Sequence, residues 1–172
     1  YWQEQAPEQV YLRQPQGDAF IEYTWQQVAD EARRMATALT AMGFEPGDRV
    51  AILAKNSAHW FMADLAIMLA GYVSVPIYAS ASSETIHYIL KHSEVVAIFV
   101  GALDHWAEQE KGIESDVVRI ALPADTMPAA LHWQRLLKNN APIAYPETLD
   151  PKGKMSIVYT SGSTGEPKGV VM

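Results

Sequence analysis

The sequence predicts an α/β fold: a mostly parallel sheet with flanking helices, preceded by an N-terminal β-hairpin. Three observations carry this. Short apolar runs suited to strands recur at residues 49–54, 72–78, 95–100, 117–122 and 155–160. Helix-like segments with caps and apolar residues at 3.6-residue spacing lie between them. Two strand-like runs joined by Pro15-Gln16-Gly17-Asp18 come before all of these. Alternating strand and helix implies right-handed crossovers and a parallel sheet.

Residues 10–12 and 19–23 form the hairpin, with turn chemistry between them. The first helix starts at Thr24, a good N-cap, and Gln27 three residues on completes a capping box. Val28, Ala32, Met35, Leu39 and Met42 make one apolar stripe, and Gly43 is placed to end it. Arg33 and Arg34 fall off the stripe, which predicts a solvated face. Pro46-Gly47-Asp48 turns the chain into the strand at 49–54. Ser57 caps a helix over residues 58–70 that is apolar on most sides, which predicts deep burial. Gly71 stops it. Pro76 cannot donate to a ladder, so the strand at 72–78 is expected to break there or to lie at an edge.

Ser82 or Ser83 caps a helix ending at His92, with Glu84 in the favourable first turn. The strand at 95–100 ends at Gly101. Helices are expected over 103–111 and 131–139, with an irregular stretch at 123–128. Pro142, Pro146 and Pro151 mark residues 140–153 as a linker-like loop. The run at 155–160 is expected to be the fifth strand after the hairpin.

The chain has 172 residues, enough for one domain with a real core. Its net charge of −7 argues against broad nucleic-acid binding, which needs a basic face. No run of basic residues suggests anionic membranes. With no cysteine there is no disulfide framework, thiolate zinc site or cysteine nucleophile. The longest apolar stretch, residues 60–78, contains Asp64, Gly71 and Pro76. An acid in its middle makes it a buried helix followed by a strand rather than a membrane span. No signal peptide is visible, and the expected compartment is the cytoplasm. The chain starts at Tyr1 and stops at Met172 inside a strand-like run, so it is expected to be a piece of a longer protein.

The five histidines do not pair at helical ligand spacing, and surface or boundary positions explain them better than a metal site. The five tryptophans are widely spread, which suits core packing or hairpin anchoring rather than a stacking platform for bases. The acidic residues show no catalytic pair.

The chemistry concentrates in residues 159–169. Four serine or threonine hydroxyls, three glycines, one proline and one lysine lie between two apolar runs. Glycines let backbone N–H groups approach a ligand, hydroxyls donate, and Lys168 adds a point charge. A polyphosphate needs such convergent donors and a cation. A flexible surface loop is the competing reading. Other templates fail. A Walker A loop needs glycine where Pro167 stands, and serine or threonine where Gly169 follows Lys168. A nucleophile elbow centred on Ser163 needs glycine at Ser161. Both expect a helix afterwards, and Val170-Val171 reads as a strand. No dinucleotide fingerprint fits either.

Thr160-Ser161-Gly162-Ser163-Thr164-Gly165-Glu166-Pro167-Lys168-Gly169 resembles the signature loop of the adenylate-forming, or AMP-binding, superfamily without departure at any position. The run from Gly47 to Leu53, the helix from Trp60 to Gly71, and Val75-Pro76-Ile77-Tyr78 are similar to the N-terminal part of acyl-CoA synthetases. Residues 75–84 with Tyr88-Ile89-Leu90 look like the long-chain fatty acid group, departing from its threonine-bearing form near Ala79 and Ser80.

The resemblance implies a long-chain fatty acid–CoA ligase. ATP activates a carboxylic acid to an acyl-adenylate, and coenzyme A then takes the acyl group. It implies that Ser161, Gly162, Ser163, Thr164 and Gly165 wrap the β- and γ-phosphates. Lys168 acts as the catalytic cation against the leaving pyrophosphate, and Thr160 is a phosphate donor or Mg²⁺ ligand. The adenine, acyl and coenzyme A residues would follow Met172, so residues 1–172 are expected to be the incomplete N-terminal portion of the AMP-binding domain, inactive alone. The resemblance leaves room for peripheral membrane contact in the parent. Two alternatives stand beside it: another adenylate-forming enzyme, such as an amino-acid adenylation domain, and a non-catalytic nucleotide-binding module.

Overall fold

A computed structural model describes residues 1–123, 129, 131–145, 153–160 and 166–172. A short helix, α1 (Trp2–Gln5), precedes the hairpin of β1 (Val10–Gln16) and β2 (Ala19–Thr24). The alternating part follows as α2 (Trp25–Thr40), β3 (Arg49–Leu53), α3 (Ala58–Leu69), β4 (Val73–Ile77), α4 (Ser83–His92), β5 (Val95–Val100), α5 (Trp106–Gln109) with one 3₁₀ turn, β6 (Val118–Ala121), β7 (Leu131–His132) and α6 (Trp133–Asn139). A second hairpin, β8 (Ile157–Thr160) and β9 (Lys168–Val171), closes the chain.

The central sheet has five parallel strands in the order β4-β3-β5-β6-β7. Its strands are apolar on both faces because helices cover both, as a parallel sheet requires. Side chains alternate across it. Val50, Ile52, Ala97, Phe99 and Ile120 face Val28, Met35 and Leu39 of α2, Met62, Ala66 and Ile67 of α3, and Trp133 of α6. Ala51, Leu53, Val75, Ile98 and Val100 face Ile86, Ile89 and Leu90 of α4, with Trp106 of α5 at the margin. Each large side chain buried here contributes about 1.5–3 kcal/mol.

The caps form as the residues dictate. The Thr24 hydroxyl accepts from the Gln27 N–H, and the Gln27 side chain accepts from the Thr24 N–H. Ser57 and Ser82 cap α3 and α4. Trp25 stacks on Tyr11 and pins the first hairpin to α2, the anchoring role expected for the tryptophans.

Several expectations are corrected. The fifth strand of the sheet is β7, lying where a helix was expected to begin; α6 starts two residues later. Only tertiary pairing with β6 makes a strand of two residues. Residues 157–160 instead pair antiparallel with β9 and meet the sheet through one parallel bridge, Ser74 with Ser156. The helix expected over 103–111 shortens to α5 and its 3₁₀ turn, and α1 was not foreseen. Helix α3 is buried on one face only, with Phe61 exposed on the other.

Arg33 and Arg34 do not lie on a free solvated face. Arg33 donates to the Ile143 carbonyl at 2.6 Å and sits over the Tyr145 ring, while Arg34 bonds Asp30 and the Asn140 carbonyl. Residues 140–145 of the expected linker are therefore strapped across α2. Residues 124–128, within the expected irregular stretch, and 146–152 lie outside the described residues. Among the described residues no helix is long and apolar enough to cross a membrane.

Candidate functional site

The two ends of the glycine-rich motif lie in the strands of the second hairpin. Thr160 ends β8, Lys168 begins β9, and the two are opposed across the antiparallel ladder. Opposed residues project on the same face, so a hydroxyl and an ammonium share the last pair of the ladder; both residues are exposed. Ser161, Gly162, Ser163, Thr164 and Gly165, expected to wrap phosphates, lie outside the described residues. The strand expected at Val170-Val171 is present as part of β9.

On the opposite face the β8 side packs against the body of the fold, while Gly169 and Val171 of β9 stay exposed. Tyr159 is 3% exposed and packs into the core cluster that contains α4. Its partner in the ladder is Gly169, and a Cβ there would stand 3.2 Å from the Tyr159 ring and 3.0 Å from Ile157 Cγ2. The Tyr159 hydroxyl lies 2.6 Å from Nδ1 of His92 at the end of α4, and Tyr88 stacks on the His92 ring. Burial pushes the Tyr159 phenol above its ordinary value, against a smaller opposing effect from Ser93. The phenol is therefore neutral at physiological pH, and one hydrogen bond joins it to Nδ1 of His92, with the imidazole tautomer deciding which group donates.

Strand β8 runs parallel to β4, which it meets at Ser156, so its Thr160 end lies beside the carboxyl ends of the sheet strands. A cavity of about 390 Å³ opens there, lined by Lys55 and Asn56 after β3, Ile77 to Ala79 at the end of β4, Trp60 of α3, and Val158 and Tyr159 of β8. A second cavity, of about 400 Å³, lies between the ends of β3 and β5 beneath the first hairpin, and Lys55 and Asn56 line it too. The strand order reverses at β3, and open parallel sheets gather ligands in the crevice at such a point. Lys55 Nζ pairs with Asp104 at 2.5 Å. This hydrogen bond, with the lysine's charge, holds the Asp104 carboxyl below the usual carboxylate range.

Sequence reasoning gave Lys55 and Asn56 no role and placed His92 among the surface or boundary histidines; His92 is indeed exposed, but its bond to Tyr159 was not foreseen. The signal that could have found Lys55 was its place directly after a sheet strand. Nothing local could have found His92, whose partner lies 67 residues away.

Among the described residues no group of three or more His, Cys, Asp or Glu side chains gathers to hold a metal. The donor set present, a threonine hydroxyl opposed to an ammonium, suits an anion. A Mg²⁺ ion would fit as the metal of a bound polyphosphate, which binds through phosphate oxygens with few protein ligands.

A family profile described as "AMP-binding enzyme" matches residues 1–172. Among curated proteins, the long-chain-fatty-acid–CoA ligase FadD15 of Mycobacterium bovis is 30% identical over 168 residues, covering 93% of this chain and 28% of the relative. The long-chain-fatty-acid–CoA ligase ACSBG2 of Xenopus laevis is 29% identical, covering 95% and 24%. The chain thus spans about a quarter of the length of these relatives. Among solved structures, the anthranilate CoA ligase AuaEII, in complex with anthranoyl-AMP, superposes with a TM-score of 0.81 at 21% identity, over 98% of this chain and 33% of that one. A benzoate CoA ligase from Burkholderia xenovorans gives 0.74 at 24% identity, over 87% and 29%. At these identities the two structures establish the fold.

Proposed function

Because the chain belongs to the AMP-binding enzyme family, we propose that residues 1–172 are the N-terminal portion of the AMP-binding domain of a long-chain fatty acid–CoA ligase. The whole enzyme uses ATP to convert a carboxylic acid to an acyl-adenylate and pyrophosphate, and coenzyme A then accepts the acyl group. The long-chain acid is supported by the activities named for FadD15 and ACSBG2.

The observation that carries the reading is the opposition of Thr160 and Lys168, the two ends of the glycine-rich segment, beside the carboxyl ends of the sheet. Attack on the α-phosphorus gathers negative charge on the departing pyrophosphate. Donors already aimed at that charge lower the barrier without reorganising. Lys168 supplies a full positive charge on a flexible stem. The hydroxyls of Thr160, Ser161, Ser163 and Thr164 and the backbone at Gly162 and Gly165 supply neutral donors. Mg²⁺, when bound with ATP, would offset phosphate charge, and Thr160 would offer its hydroxyl either to that ion or to a phosphate oxygen.

The test is carboxylate-dependent ATP–pyrophosphate exchange by the protein expressed from the complete reading frame that contains this chain. Lys168→Ala slows adenylate formation by about 10²-fold, the scale of losing one such stabiliser. An unchanged rate removes Lys168 from the mechanism. A panel of long-chain fatty, aromatic and amino acids in the same assay decides the substrate class, and preference for an amino acid overturns the fatty-acid assignment. Residues 1–172 alone form no acyl-CoA; detectable product from them overturns the assignment as an incomplete portion.

A further inference from the structure

The ladder between β4 and β8 stops early, for a reason visible in the chain. The Ser74 N–H donates to the Met155 carbonyl at 3.0 Å, beside the bridge from Ser74 to Ser156. In a parallel ladder the next bond of this kind would run from the N–H of residue 76 to the Ile157 carbonyl. Residue 76 is proline and has no N–H. Toward Thr160, where position matters most, β8 is therefore held to the body of the fold by side chains.

Tyr159 makes the contact nearest to Thr160. Its ring is buried against the α4 side of the sheet, its hydroxyl lies 2.6 Å from His92 Nδ1, and His92 is held in turn by stacking on Tyr88. On the other strand Gly169 leaves open the space that the Tyr159 ring needs, since a Cβ there would press on Tyr159 and Ile157. Tyr159 and Gly169 are also the ladder pair next to Thr160 and Lys168. The register of that outer pair is set by how the inner pair seats.

We propose that His92 is a positioning residue for ATP: through its hydrogen bond to Tyr159 it seats the hairpin so that Thr160 and Lys168 meet the phosphates. The inference rests on the phosphate-binding reading above. A protein whose binding-competent arrangement is less populated binds its ligand more weakly in proportion. Losing one neutral hydrogen bond shifts such a balance by roughly three- to tenfold.

The experiment measures steady-state pyrophosphate exchange, varying ATP and acid separately, in the protein from the complete reading frame. His92→Ala and Tyr159→Phe each raise KM for ATP about three- to tenfold, with kcat within about twofold and KM for the acid unchanged. His92→Asn, whose short side-chain amide can donate to or accept from the Tyr159 hydroxyl, restores KM for ATP. The double variant is no worse than either single one, because both remove the same bond. An unchanged KM for ATP in His92→Ala, a parallel rise in both KM values, or additive effects in the double variant would overturn the assignment. Lys168→Ala is measured alongside. If it impairs exchange while the His92 variants behave as wild type, the positioning role alone falls. If it has no effect, the phosphate-binding reading falls.

Discussion

Replacing Glu31 by alanine tests how β7 and α6 are held in place. Trp133 opens α6 and is fully buried, and its indole N–H donates to Glu31 Oε2 of α2 at 2.8 Å. The same carboxylate oxygen lies 3.5 Å from Nε2 of His59 on α3. Alanine removes the acceptor and leaves a buried N–H unpaired, at a cost of about 1–3 kcal/mol. The better helix propensity of alanine offsets a few tenths of a kcal/mol of that. The His59 contact adds little, since the pair is partly solvated. The net expectation is a loss of about 1–2 kcal/mol. Glu31→Gln keeps a carbonyl acceptor at the same reach and retains most of the stability. Urea unfolding followed by tryptophan fluorescence reads the difference, at an unchanged m-value. In a thermal scan the loss corresponds to roughly 2–4 °C per kcal/mol for a chain of this size. The reasoning is refuted if Glu31→Ala stays within about 0.5 kcal/mol of wild type, or if it and Glu31→Gln lose equally.

Three further outcomes are expected. Gly112→Ala places a Cβ against the Ser83 backbone carbonyl and Ile86, so it destabilises by about 1–3 kcal/mol through overpacking, measured as a fall in the urea midpoint. Thr24→Ala removes one half of a complete capping box and costs about 0.5–2 kcal/mol, while Thr24→Ser stays near wild type in the same assay. Burial raises the phenols of Tyr23, Tyr72 and Tyr159 above their ordinary value. Their folded forms thus keep protons that the unfolded chain releases near pH 10. Their contribution to stability is complete below about pH 10 and is lost as pH rises through the folded values. Tyr159→Phe shrinks that loss, as read from urea midpoints between about pH 8 and 11.

Local chemistry made much of the fold legible. Thr24, Ser57 and Ser82 cap helices because a short hydroxyl next to free N–H groups has one good use there. The stripe from Val28 to Leu39 faces the core because spacing alone puts those residues on one side. Pro76 was expected to break its strand or lie at an edge, and it lies in β4, an edge strand of the five-stranded sheet. The phosphate-binding reading was legible as residue order, because glycines, hydroxyls and a lysine in this sequence match one pattern and fail the others.

Other features depended on partners far away in the chain. Leu131 and His132 are a strand only because β6 offers them a ladder, and two residues carry no periodicity of their own. Arg33 and Arg34 look solvated by spacing, yet residues 140–145 fold back over 100 positions to take their hydrogen bonds. Lys55 gains meaning from the carboxyl end of β3, and His92 from a hydroxyl on β8. By itself the sequence determined most of the helices and strands, their caps, and the inward face of α2. These follow from backbone sterics and spacing within a few residues. Only the tertiary structure decided that the residues flanking the loop pair as a hairpin set beside the sheet, with Lys168 opposite Thr160 and Tyr159 bonded to His92. Those relations are pairings between distant segments, selected by burial and hydrogen-bond satisfaction over the whole chain.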